Sequence, residues 1–263
     1  MREGNSEEAK ARGILKAKGE ILGFLCTDND FTDRDFLRTM VWYAQRPEVD
    51  GAYTTQYEYV KGDTCLNRYF ALLGVNDPVC WWLGKADRSS YLRPRASGVV
   101  GFLGKIPSLG DNGFFIKRSI ALKAKPAPET FGSCMCFCED LRRIGHSTYF
   151  VVSTQKLWHR TGESFWVYLK KRWRYVNELY WYKYKIRRWN MVSSSRDWLY
   201  VLCFALFSFL VLPQVFISIY GYRQVRDYAW FIHPIVCFAL SFIYTWAFLK
   251  YQLSFPHITG RRS

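Results

Sequence analysis

What the sequence lacks narrows the reading first. Its opening twenty residues, Met1–Glu20, hold no apolar run of the kind a secretory signal needs, so any entry into a membrane falls to later segments. There are no internal repeats and no low-complexity tract. No Ser/His/Asp or Cys/His arrangement is recognisable, which leaves hydrolase chemistry by a side-chain nucleophile without support. Cys134, Cys136 and Cys138 form a C-x-C-x-C run, but no second Cys/His pair stands at zinc spacing. In a strand these three would line one face. Small buried hydrophobes in a reducing cytosol are the simpler reading of the cysteines. Acidic residues are scarce, 22 against 37 Lys and Arg, for a formal charge of +15.

What is there fits one domain of ordinary size plus an appendage, over 263 residues. Aromatics reach 19% and crowd the C-terminal half, as side chains do at a membrane–water boundary. The basic excess suits either nucleic acid or anionic lipid headgroups. Position decides. Lys170, Lys171, Arg172, Arg174, Lys183, Lys185, Arg187, Arg188 and Arg196 run directly up to a hydrophobic span, which favours the membrane and no nucleic acid.

Trp198–Tyr220 and Tyr228–Leu249 are free of charge over 23 and 22 residues. About 20 apolar residues cover the hydrocarbon core. With the short loop GYRQVRD between them, the two predict a transmembrane hairpin over 197–250, kinked at Pro213 and Pro234. Positive residues flank it, so residues 1–196 and the tail 251–263 are expected in the cytoplasm, on a multi-pass protein of the cytoplasmic (inner) membrane. Residues 164–196 alternate aromatic and basic side chains and predict interfacial helices beside a lipid-borne partner.

Residues 1–163 read as an α/β domain. A helix over 5–18 stops at Gly19, and Ile21–Cys26 is a short apolar run expected as a buried central strand. The acids TDND follow it. Helices are expected from Thr32 or Asp33 to Gln45, over Asn67–Gly74 and over Glu139–Gly145. Strands are expected over Ala52–Val60, Gly113–Lys117 and Tyr149–Ser153, with Trp158 and His159 on a loop. Acids at the C-terminal end of a strand in an open sheet sit where ligands bind. Asp28 and Asp30 there can grip Mg²⁺ or Mn²⁺ that also holds a diphosphate. A solvated turn and helix cap is the plain alternative.

Several segments in order resemble the family-2 glycosyltransferases of GT-A fold. They are Ala11-Arg12, Ala17-Lys18-Gly19-Glu20, the strand Ile21–Leu25 with the acids after it, Gly110–Arg118, Glu139-Asp140-Leu141 with Gly145, and Trp158–Thr161. The resemblance covers roughly residues 7–175. It implies a partial GT-A (Rossmann-like) catalytic domain moving a sugar from a nucleotide-sugar donor to a lipid-linked acceptor, a polyprenyl phosphate or lipid-linked saccharide. It implies donor contacts from Arg12, Asp28, Asp30, Asp111, Asn112, Lys117 and Arg118, metal ligands Asp28, Asp30 and His159, and a catalytic base at Asp140 with Glu139 next. The chain departs from the pattern twice. Cys26 stands where the first Asp of the family's D-x-D belongs, and the nucleobase-binding strand and helix would precede Met1, which implies an N-terminally truncated chain with one sheet edge bare. The rival reading is a non-catalytic membrane scaffold derived from such an enzyme. A third, weaker one is a basic nucleic-acid-binding membrane protein.

Overall fold

The computed structural model describes residues 6–86, 88–102, 112–124, 140–141, 143–146, 148–161, 164–180 and 190–254. The fold is α/β with a mixed sheet. Its strands are β1 (Ile21–Phe24), β2 (Asn29–Asp30), β3 (Gly51–Tyr57), β4 (Gly98–Phe102), β5 (Phe114–Lys117) and β6 (Thr148–His159). The order is β1-β5-β3-β6-β2, with β4 on the first part of β6. β3 and β6 are parallel, and β5 runs antiparallel to both β1 and β3. Among the described residues, β1 pairs only with β5.

Side chains alternate across the sheet, and each face is covered by its own helices. On one face Leu22, Phe24, Phe114, Ile116, Phe150 and Val152 pack under α1 (Ser6–Lys16) and α5 (Arg118–Lys123), which supply Ala11, Ile14, Ile120 and Ala121. On the other, Ala52, Phe115, Val151 and Leu157 meet α2 (Phe36–Gln45) through Phe36, Met40 and Ala44, spaced one turn apart. Gly51 is required where β3 passes β5: a Cβ there would lie 2.0 Å from the Phe115 carbonyl oxygen.

Three outcomes differ from the strand expectations; the short β2 forms where a polar turn was expected. β4 was not foreseen, because Pro94 and nearby glycines mark a loop. β6 continues through Trp158 and His159, so these residues stand on a strand rather than on a loop.

The remaining helices build a second core. They are α3 (Cys65–Leu73), capped by Thr64 and closed by Gly74 in the left-handed conformation; α4 (Pro78–Trp82), capped by Asp77; and α6 (Phe165–Arg174), capped by Ser164, which runs into a π-helical segment, Tyr175–Tyr180. Then come α7 (Ser195–Leu210), opened by a Ser194/Asp197 capping box, α8 (Leu212–Gln224), a 3₁₀ turn (Tyr228–Ile232) and α9 (His233–Ser254). One cluster joins Leu66, Tyr69, Phe70 and Trp81 of α3 and α4 to Tyr168, Phe204, Trp230, Val236, Leu240 and Tyr244.

The expected hairpin is matched in part: among the described residues one helix has the length and composition of a span, or two if the bent pair counts as one. Tyr228–Lys250 is long and apolar enough to cross a membrane, but the first span is broken: α7 and α8 meet at 88°. The break is Val211, the one described non-glycine residue at positive φ (62°). Pro213 does not kink a continuous helix there; it occupies the first turn of a new one.

Candidate functional site

Three strand ends and one loop build the site. β1 delivers the chain to Asp28 just beyond its C-terminal end, and β2 holds the following residues against the end of β6 in the register Asn29↔His159 and Asp30↔Trp158. The Arg160 amide donates to the Asp28 carbonyl at 2.8 Å, which fixes the pairing. The consequence is a carboxylate–imidazole pair, Asp28 Oδ2 and His159 Nε2, 3.3 Å apart. His159 is buried at 7% exposure. Its other ring nitrogen, Nδ1, has no hydrogen-bond partner, and its ring lies 4.8 Å from that of Tyr57, at the end of β3.

Asn112 reaches the same place from the turn before β5. The turn is held by the Gly113 amide on the Phe24 carbonyl, at the end of β1. Gly113 has φ +71, and a Cβ there would strike Thr54 Cγ2 at 2.7 Å, so the close approach needs glycine. Asn112 Nδ2 donates to the Tyr57 hydroxyl at 3.1 Å, and Asn112 Oδ1 is buried with no partner. Arg88, at 2% exposure, donates to the Asn112 carbonyl and, at 3.1 Å, to Thr54 Oγ1, with its guanidinium 5.2 Å from the Tyr57 ring centre. Asp28, His159, Tyr57, Asn112 and Arg88 thus line one linked site at the C-terminal ends of β1, β3 and β6.

The electrostatics favour an anionic Asp28. Burial pushes its carboxyl up, but the hydrogen bond and electrostatic interaction with His159, the local backbone and the charge of Lys171 on α6 outweigh it. The net position lies below the ordinary 3.8.

The other expected residues divide. Asp30 turns to Arg160, at 2.7 Å from its Nε, instead of joining Asp28 and His159. Among the described residues no three His, Cys, Asp or Glu side chains form a group able to hold a metal ion. Asp140 is buried beside Leu141, which packs under β5 and β6. Arg12 lies on the exposed side of α1.

Lys117 and Arg118 are corrected. Because β5 runs antiparallel to β1, Lys117 lies opposite Ile21, at the far end from Asn112. Lys117 Nζ holds the Arg46 and Val49 carbonyls, and Arg118 Nε the Ala17 carbonyl. Both close helix and loop ends remote from the site. Asp111 and Glu139 lie outside the described residues.

Comparison with protein-family models, with curated proteins and with solved structures finds no match.

Sequence reasoning missed Tyr57 and Arg88. Tyr57 carried a weak signal, an aromatic within the expected strand Ala52–Val60, which ends at Tyr57 in the structure. Arg88 carried none, since its partners Thr54 and Asn112 come from distant segments.

Proposed function

We propose that the chain is a glycosyltransferase with a partial GT-A domain, which transfers a sugar from a nucleotide-sugar donor to a lipid-linked acceptor at the cytoplasmic face of a membrane. The convergence of Asp28 and His159 carries this reading. Two adjacent ligands on an octahedral ion at about 2.1 Å stand about 3 Å apart, and the pair's separation suits that. His159 Nε2, the ring nitrogen that faces Asp28, would be the metal-facing one, with the proton on Nδ1.

Asp28 and His159 would hold Mg²⁺ or Mn²⁺, the remaining positions being filled by diphosphate oxygens and water. The ion would neutralise charge on the leaving diphosphate. The chain's own contribution is positioning. The Lys171 charge favours an anion beside Asp28, and Asn112, whose turn Arg88 holds, offers an unpaired carbonyl oxygen to a sugar hydroxyl. Asp140 is the candidate base for the acceptor hydroxyl. An acceptor that is already a phosphate needs little help there. Asp30 enters only after leaving Arg160, so its role is supporting.

The test is calorimetric binding of a panel of nucleoside diphosphates to the full chain, with and without Mn²⁺. The expected result is binding that Mn²⁺ strengthens and that Asp28→Ala abolishes. Equal binding by Asp28→Ala and the parent, or no binding at all, contradicts the reading. A scaffold with the same fold would give that second outcome.

A further inference from the structure

We propose that residues 195–254 form a one-sided anchor. They lie within the leaflet that faces the α/β domain and return to that same face, instead of crossing the bilayer as a hairpin. The occupant of their outer surface is anionic lipid. The proposal rests on membrane association but not on the sugar-transfer chemistry.

The loop between α8 and the 3₁₀ turn supplies the first argument. In a crossing hairpin it would lie across the bilayer from the α/β domain. It is instead tied to that domain. Asp227 accepts from Arg68 Nε of α3 at 2.9 Å and from the hydroxyl of Tyr59, two residues beyond β3. Trp230 is fully buried, edge-on to Tyr69 of α3. His233 Nδ1 is 2.6 Å from the Tyr69 hydroxyl.

The second argument is the path of α9. A helix crossing away from the domain would touch it at one end. α9 touches it along its length. His233 meets Tyr69 and Trp81 at the start. Further on, the Tyr244 hydroxyl donates to Asp77, the cap of α4, at 2.6 Å, and Trp246 stacks on Trp173 of α6. Val236, Leu240, Ile243 and Ala247 form the protein-facing stripe. Ile235, Phe238, Phe242, Trp246 and Leu249 form the outward one, each at least 40% exposed and spaced by three or four residues.

The third is the 88° turn at Val211. It sends α8 sideways after 16 residues of α7, too few to span the hydrocarbon core at about 1.5 Å per residue. Leu202, Leu206, Phe209, Leu212 and Phe216 carry the exposed apolar surface around the corner. Exposed cations stand at the helix ends, Arg196, Arg223 and Lys250, with Lys170, Lys171 and Arg174 on α6. Apolar middles with basic ends complement an acidic headgroup layer over hydrocarbon. The same packing puts the Asp227 loop beside Tyr59, close to the Tyr57 wall of the site.

The test is sidedness in sealed inside-out and right-side-out vesicles from expressing cells. Single variants Arg34→Cys on the domain and Gln224→Cys at the end of α8, where the loop begins, are treated with a membrane-impermeant maleimide, and the labelled peptides are read by mass spectrometry. The expected result is that both are labelled in the same vesicle orientation and both are protected in the other. Labelling of Gln224→Cys only in the orientation that protects Arg34→Cys overturns the one-sided anchor while leaving the function proposal standing. A chain recovered wholly in the soluble fraction overturns both the anchor and the lipid-linked acceptor. Should a variant fail to fold, trypsin on the native chain gives the same answer. Cleavage after Arg223 or Arg226 must come from the side that cleaves the domain, and cleavage from the opposite side alone rejects the proposal.

Discussion

Asp28 and His159 stand 3.3 Å apart, carboxylate to imidazole, although one follows the first strand of the sheet and the other ends the last. Neither strand places its residue alone. The Asn29↔His159 register of β2 on β6 brings the two together, and Tyr57 closes the pair from β3.

Arg88 holds the Asn112 turn beside Tyr57, so its replacement has two effects. Arg88→Lys keeps the charge but cannot reach the Thr54 hydroxyl and the Asn112 carbonyl together. We expect a loss of about 2 kcal/mol in urea unfolding, the scale for charge-assisted hydrogen bonds. Weaker Mn²⁺-dependent nucleoside diphosphate binding should accompany it. Unchanged stability would show that the Asn112 turn is held by other contacts.

The Tyr59–Asp227 tie predicts a pH dependence. Burial first, then the hydrogen bond and charge of Asp227, push the Tyr59 phenol up from 10.0 to about 12. A raised folded value means the contribution is complete below pH 10.0 and disappears as pH climbs towards about 12. The thermal midpoint of Tyr59→Phe should therefore lie below that of the parent at neutral pH, with the gap closing over that alkaline window. A gap constant through the window would mean the phenol is not held by Asp227.

How much of this was legible in the sequence depended on the range of the cause. The run Ile21–Leu25 announced a buried central strand; β1 forms there, but at the end of the strand order among the described residues and with only Leu22 and Phe24 buried, because a local apolar run does not reveal which neighbours a strand will have. Lys117 and Arg118 were misplaced because strand direction is not written in a strand's own residues. β5 could have run either way, and its antiparallel course carries both cations to the wrong end. Asp30 shares the D-x-D spacing with Asp28, yet only the neighbouring strand reveals that Arg160 claims it. The broken span was misread at Pro213, since a proline in a long apolar run signals a kink as readily as the first turn of a new helix.

The buried pair Arg172–Asp77 joins α6 to the cap of α4 at 3.0 Å, and the Tyr244 hydroxyl adds the link to α9. Asp77 and the neighbouring tyrosines hold the Arg172 guanidinium protonated against the effect of burial. Removing one member leaves the other charge buried. Arg172→Ala should cost about 3 kcal/mol or more in denaturant unfolding. A loss confined to a few tenths would show that the helical layer does not depend on this junction.

The central claim, a divalent cation shared by Asp28 and His159 with a diphosphate, meets its most direct test in the ¹⁴N couplings of bound Mn²⁺. These are read by electron spin-echo envelope modulation on the full chain with Mn²⁺ and a nucleoside diphosphate. The account predicts an imidazole nitrogen coupling that vanishes in His159→Gln and survives in His146→Gln. Bound Mn²⁺ without any imidazole coupling, or with one unchanged in His159→Gln, would contradict it.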